Sequence, residues 1–210
     1  MSDLTSADLL RLSPVIPVVV VDSVDQAVPV ARALAEGGVP VVELTLRTPV
    51  ALDAIRAIAE EVPEVLIGAG TVTTPVLAKE AAAAGAQFLV SPGATPTLLG
   101  AMRDTGLPFL PGTATVSEAI AVLETGHTAM KFFPAEASGG AKYLGSLPSV
   151  LPDARFCPTG GISLANAPSY LALANVGCVG GSWLTPADAI AAGDWARISR
   201  LAAEAAALRG

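Results

Sequence analysis

Metal ligands are scarce in this sequence. One histidine, His127, and two cysteines, Cys157 and Cys178, occur in 210 residues. With no clustered carboxylates beside them, a metal centre is not expected. The cysteines lie far apart without Cys-x-x-Cys spacing, so neither a zinc site nor a disulfide framework is signalled. Basic residues are also few: 12 lysines and arginines against 19 acids leave a net charge of -7. Long-range repulsion then disfavours nucleic acid or an anionic membrane surface as a partner. The apolar runs Val15 to Val21 and Val65 to Ala69 are too short to span a bilayer. Met1 to Leu12 is polar and acidic, without the apolar stretch of a secretory signal, so a reduced, cytoplasmic setting is expected. Linkers and low-complexity stretches are missing as well.

What remains is apolar and regular. At 52% hydrophobic and 15% charged, residues 1–210 read as one globular domain. After a short amphipathic opener, strand-like runs alternate with helical periodicity. The expected strands are Val15 to Val21, Val39 to Leu46, Val65 to Ala69, Gln87 to Ser91, Pro108 to Pro111, the run around Lys131, Arg155 to Pro158 and Val176 to Val179. The runs are continuous rather than alternating, as in a parallel sheet covered on both faces. Helix starts are signalled by Ser23-x-x-Gln26, Thr74-Pro75, Thr95-Pro96, Thr115-x-x-Glu118, Ser163 and Thr185-Pro186-x-Asp188, the last opening a helix through Leu208. Gly37-Gly38, Gly85 and Gly126 are the stops. Eight strand-helix units of near-constant length fit a closed (β/α)8 TIM barrel with a short N-terminal helix better than an open sheet.

Only three lysines occur, and Lys79 and Lys142 fall on segments that read as exposed. Lys131 does not. It sits in Thr128-Ala-Met-Lys-Phe-Phe-Pro-Ala-Glu136, an apolar run. Burial disfavours the ammonium form, which makes a usable amine nucleophile of the kind that forms Schiff bases. A lysine whose stem packs while its ammonium snorkels to solvent fits the stretch equally well. Glu43, between Val42 and Leu44, is a carboxylate in a similar setting. Imine chemistry needs such a pair, an amine and a proton carrier, whereas a structural salt bridge of Glu43 with Lys131 or Arg47 is the plain alternative.

Barrel chemistry gathers at the C-terminal ends of strands, where this chain carries Arg47, Thr71, Pro92, Thr159-Gly160-Gly161 and Gly180-Gly181-Ser182. Arg47 suits bidentate carboxylate binding. The hydroxyl of Thr71 follows Gly68-Ala69-Gly70, a segment that lets backbone approach closely. Glycine pairs after the last two strands commonly form the phosphate site of a barrel, although each alone would pass for a tight turn. His127 reads as a surface or helix-capping residue at the other end.

Taken together, Glu43-Leu-Thr-Leu-Arg47-Thr48, Gly68-Ala-Gly-Thr71-Val72, Lys131-Phe-Phe-Pro-Ala-Glu136, Phe156-Cys-Pro-Thr-Gly-Gly-Ile-Ser163 and Gly180-Gly-Ser-Trp183 carry a resemblance over nearly the whole chain. The chain resembles the 2-keto-3-deoxy-6-phosphogluconate (KDPG) and 4-hydroxy-2-oxoglutarate (KHG) aldolases. That resemblance implies a cofactor-independent class I lyase and, typically, a homotrimer. It implies that Lys131 forms the imine with pyruvate or the 2-keto acid, and that Glu43 shuttles protons. Arg47 and Thr71 would hold the pyruvate carboxylate, and Pro92 and Phe133 would shape its pocket. Thr159, Gly160, Gly161, Gly181 and Ser182 would line the region for distal hydroxyls and phosphate. The segment Pro111-Gly-Thr-Ala-Thr115 departs modestly from the family pattern, which bears on substrate range. KHG or the galactonate-derived isomer as preferred substrate, a phosphosugar isomerase or epimerase, and a non-catalytic phospholigand-binding barrel are the alternatives.

Overall fold

An apolar side chain at every position of Val15-Ile16-Pro17-Val18-Val19 requires burial on both faces, which a parallel sheet flanked by helices provides. In the computed structural model, which describes residues 4–209, that segment is strand β1, Val15–Val19, and it is buried throughout. Met1 to Asp3 and Gly210, part of the expected domain and of the polar opening segment, lie outside the described residues. The other strands are β2 Val41–Thr45, β3 Leu66–Gly70, β4 Phe88–Val90, β5 Phe109–Leu110, β6 Gly112–Thr113, β7 Ala129–Phe132, β8 Arg155–Pro158 and β9 Val179–Gly181. All their pairings are parallel. One sheet has the order β5-β4-β3-β2-β1-β9, and a second has β6-β7-β8. The result is an α/β fold of curled parallel sheets with helices outside them.

The single fifth strand expected from the sequence is two strands. Pro111 lacks the N–H that a continuous ladder needs. Before it, Leu110 O accepts from Ser91 N at 3.2 Å, and Pro111 O itself accepts from Lys131 N at 2.9 Å. One short segment thus pairs with β4 on its first half and β7 on its second. At the opposite edge, the isolated bridges Phe156 with Val176 and Thr159 with Gly180 connect the β8 side to the β9 side.

Most helix signals act as read. Thr74, Thr95 and Thr115 each accept from the backbone N–H three residues on, the last within a reciprocal box with Glu118. Three expectations need correction. The last strand is Val179–Gly181, not Val176 to Val179, because Gly177 presses against Leu10 and pairing with β1 begins only at Val179 with Val15. Ser163 caps no helix: its N–H donates to Asn166 Oδ1 at 2.8 Å, and the helix starts later, at Ala167–Leu171. The C-terminal helix is two, Ala187–Ala192 and Trp195–Ala206, separated by Gly193 at φ +65° and the capping side chain of Asp194. A short helix, Gly140–Ser146, also follows β7.

Helix Ala27–Glu36 ends at Gly37, which is packed directly under helix Trp195–Ala206. A Cβ on Gly37 would overlap Ala202 Cβ and stand 2.5 Å from Ser199 O. Gly37→Ala is therefore expected to destabilise the fold by about 1–3 kcal/mol, the usual cost of overpacking. Thermal unfolding would register this as a Tm lowered by several degrees, and an unchanged Tm would mean the two helices separate without cost.

Candidate active site

Two charged side chains are pulled out of water by strands whose neighbours are all apolar. Glu43, in β2, is 2% exposed, and Lys131, in β7, is 4% exposed. Lys79 and Lys142 are exposed, so Lys131 is the only buried lysine among the described residues. It does not snorkel. Its Nζ donates to Glu43 Oε1 at 3.1 Å across the interior and lies 5.3 Å from the centroid of the Phe133 ring. Each ion in such a setting costs several kcal/mol of desolvation, which only its partner offsets.

The Gly68-Ala69-Gly70 segment makes room for this pair. Both glycines of β3 face the interior. A Cβ on Gly68 would overlap the Phe88 ring, and one on Gly70 would overlap the Glu43 carboxylate. The close approach expected there is real, and what approaches is side chain: the carboxylate of Glu43 lies across the Gly70 backbone. At the end of the same strand Thr71 has φ 61°, the only positive φ outside glycine among the described residues. That conformation costs of order 1–3 kcal/mol. Its hydroxyl accepts from Arg47 Nε at 3.3 Å. The exposed guanidinium of Arg47 is thereby aimed over the C-terminal edge of the sheet.

A cavity of about 320 Å³ opens at this edge. Arg47, Phe133, Thr159, Gly160, Gly161, Gly181 and Ser182 line it, as the sequence suggests, with Gly180 of the same glycine pair, and so do Val18, Val20 and Ile162, to which the sequence assigns no role. The valines carry a signal only in hindsight, since Val18 is the register partner of Glu43. Glu43, Lys131, Thr71 and Pro92 do not line the cavity. Lys131 adjoins it through Phe133, Thr71 through Arg47, and Pro92 packs its backbone against Gly112, the register partner of Lys131. A second cavity of about 340 Å³ shares Val18, Val20, Arg47 and Ser182 and runs on to Thr185 and Pro186.

The glycines of the last two strands differ in their reasons. Gly160 and Gly161 have φ of +101° and +79°, which other residues rarely adopt. Gly180 gives way to Thr159 and Gly181 to the indole of Trp183, so those two are required by packing. His127 is half-buried before β7, not a surface or capping residue. It stacks on Phe109 at 4.2 Å and bonds Phe109 O through Nε2 at 2.9 Å. Burial holds its imidazole below the ordinary histidine range. It stands at the end of β7 away from Phe133.

Residues 7–201 match the family model described as KDPG and KHG aldolase. The KHG/KDPG aldolase of Escherichia coli (strain K12) is 54% identical over 202 residues, covering 96% of this chain and 95% of that protein. The 2-dehydro-3-deoxy-phosphogluconate aldolase of Dickeya dadantii is 54% identical over 204 residues, 97% of this chain and 96% of its own. Among solved structures, KDPG aldolase from Legionella pneumophila, with pyruvate captured at low pH as a covalent carbinolamine intermediate, superposes with a TM-score of 0.95. It is 45% identical, over 97% of this chain and 98% of that one.

Removing one member of a buried ion pair leaves the other charge uncompensated. Lys131→Met should lower the unfolding free energy by about 3–5 kcal/mol. The double variant Lys131→Met with Glu43→Leu should recover most of that loss. Urea unfolding measures both, and a double variant no more stable than the single would mean that the two charges are not balancing each other.

Proposed function

The chain belongs to the KDPG and KHG aldolase family, and from that premise we propose that it is a class I Schiff-base lyase. It reversibly cleaves 2-dehydro-3-deoxy-6-phosphogluconate to pyruvate and D-glyceraldehyde 3-phosphate. The observation that carries the mechanism is the buried Lys131 Nζ at 3.1 Å from Glu43 Oε1. One proton passed along that bond turns an ion pair into a neutral amine and a neutral acid, which are the reactants imine formation needs. The amine attacks the C2 carbonyl, and the carbinolamine loses water as Glu43 returns a proton to the departing hydroxyl. The resulting iminium is an electron sink. Glu43 then takes the proton of the C4 hydroxyl, the C3–C4 bond breaks, the aldehyde leaves, and its bonding electrons form the enamine. Protonation at C3 and hydrolysis release pyruvate and restore the amine.

Arg47 and Thr71, joined at 3.3 Å, suit the two oxygens of the keto-acid carboxylate. Phe133 stands beside the amine and Pro92 beside Gly112, the register partner of Lys131 on the neighbouring strand, so both suit the space for the three carbons of pyruvate. The cavity walls from Thr159 to Gly161 and at Gly181 and Ser182 suit the hydroxyls and phosphate at the distal end. Cleavage of 4-hydroxy-2-oxoglutarate to pyruvate and glyoxylate is a second activity of the same site, supported by the relative named KHG/KDPG aldolase. Preference for KHG or for the galactonate isomer would appear as a ranking of kcat/KM across the three substrates.

The bridges between β8 and β9, and the shared segment of β5 and β6, support reading the two sheets as one (β/α)8 barrel formed by residues 1–210. A homotrimer acting in the cytoplasm completes the proposal. Exposed apolar side chains such as Val76 and Val150, each 61% exposed, would give such an assembly surface to bury. No described helix is long and apolar enough to cross a membrane.

Borohydride with pyruvate should leave a reduced adduct on the peptide containing Lys131, located by mass spectrometry. Lys131→Arg, which keeps the charge but cannot form an imine, should give neither adduct nor cleavage. A parent enzyme that stays unmodified at saturating pyruvate would favour the isomerase or binding-protein alternatives. Glu43→Gln should lower kcat by about 10²–10⁴, the range of positioned acid-base catalysis, and an unchanged kcat would remove its proton-shuttle role.

A further inference from the structure

Glu136 has no part in the chemistry above, yet it is tied to the cavity wall from three directions. Its backbone N–H donates to Gly160 O at 3.1 Å, next to Ala135 N donating to Thr159 O at 2.8 Å. Its side-chain methylenes pack on Gly161, where a Cβ would stand 2.6 Å from Glu136 Cγ. Its carboxylate accepts a hydrogen bond from the hydroxyl of Tyr170, a residue 1% exposed on helix Ala167–Leu171. Burial, and then this bond, hold the phenol above its ordinary range, so the hydroxyl keeps its proton and donates. Asn166 supports the same turn from the other side, its Nδ2 donating to Gly161 O at 3.0 Å.

We propose that Glu136 and Tyr170 are positioning residues that clamp the Gly160-Gly161 turn and so set the grip on the phosphorylated, distal end of the substrate. The proposal rests on the aldolase reading above and deepens it. The clamp ties the loop after β7 to the helix after β8, and the turn between them lines the same cavity as Arg47. Two glycines at positive φ have little conformational resistance of their own. A turn made of them keeps one shape only if its neighbours impose it. The amine is held independently, because the ladder pairing Lys131 with Cys157 and Phe132 with Pro158 and the Lys131–Glu43 bond do not pass through Glu136. Loosening the clamp should therefore affect the distal contacts and spare the imine. A bond to a charged acceptor is worth more than a neutral one. Its loss should raise KM for a phosphorylated substrate about tenfold.

The test uses the full-length enzyme with Glu136→Ala, Tyr170→Phe, their combination and Glu136→Gln, whose amide oxygen still accepts from the tyrosine. Steady-state kinetics are read on KDPG and on unphosphorylated KHG, with the pyruvate-borohydride adduct as the control for chemistry and folding. Expected are a raised KM on KDPG for Glu136→Ala and Tyr170→Phe, unchanged kcat/KM on KHG, parent-like adduct yield, a combined variant no worse than the worse single, and partial rescue in Glu136→Gln. Equal losses on both substrates, a lost adduct in the variants, or no change on KDPG would each overturn the proposal. If Tyr170→Phe does not fold, Glu136→Ala against Glu136→Gln decides the matter. A parent without an adduct removes the aldolase reading itself and the clamp with it, a result distinct from any seen only in the variants.

Discussion

One opposite-charge pair, held 3.1 Å apart and almost wholly out of water, constrains the rest of the interior. Its members come from different sheets, β2 and β7, so each strand must be positioned well enough for a single hydrogen bond to close between them. Neither charge can turn to solvent instead, since the flanking side chains of Val42, Leu44, Met130 and Phe132 are buried as well. Space is as demanding as charge. The Glu43 carboxylate occupies the volume that any side chain at position 70 would need, which makes the glycine there a requirement of the pair. A buried ion pair is weak evidence for stability, because apolar replacements of similar size often match it. Its presence in a well-packed interior accords with the chemistry proposed for it, the exchange of a proton and the presentation of an amine.

Strain in the described backbone falls near the same place. Thr71 alone among the described non-glycine residues takes a positive φ, and Gly160 and Gly161, which line the cavity, are two of nine described glycines that do so at little cost. The periphery is conventional by contrast, with threonine caps and prolines in first turns. Backbone strain survives only where the surrounding structure over-determines it. Here the determinants are identifiable: Val72 N bonded to Val90 O behind Thr71, and the amides of Ala135 and Glu136 bonded to Thr159 O and Gly160 O beside the glycine pair. The ladder hydrogen bonds that build the sheets therefore continue past the strand ends and hold the site.

The sequence conveys the parallel α/β architecture and the buried lysine and glutamate well, for a physical reason. Continuous apolar runs are what a doubly covered parallel strand requires, and a lone lysine or glutamate within one is conspicuous because burial is so costly for it. Signals that depend on neighbours distant in sequence were not legible. Nothing near Pro111 announces that its two flanks pair with different strands, and nothing near Val176 says that Leu10 will press on Gly177 and delay β9. Gly193-Asp194 did carry a stop and a cap, overlooked because alanines on both sides continue the helical pattern. The cavity wall divides the same way. Arg47 and the glycine pairs stand out by type, whereas Val18 and Val20 are ordinary strand residues until the register places one of them beside Glu43.

An acidic chain with a multiply charged anion as its proposed substrate poses a question of scale. The net charge of -7 is spread over the surface. Exposed charges more than a Debye length apart, about 8 Å at physiological ionic strength, are largely screened from one another. A group entering the cavity is governed instead by what lies within a few ångströms. There Arg47 is the cation, its guanidinium bonded to Thr71, and the described carboxylate nearest the reacting amine is already matched by Lys131. Net charge thus limits the class of macromolecular partner without limiting the small ligand. The same acidic surface that repels polyanions permits an anion site, provided the compensating groups are few, close and rigidly held.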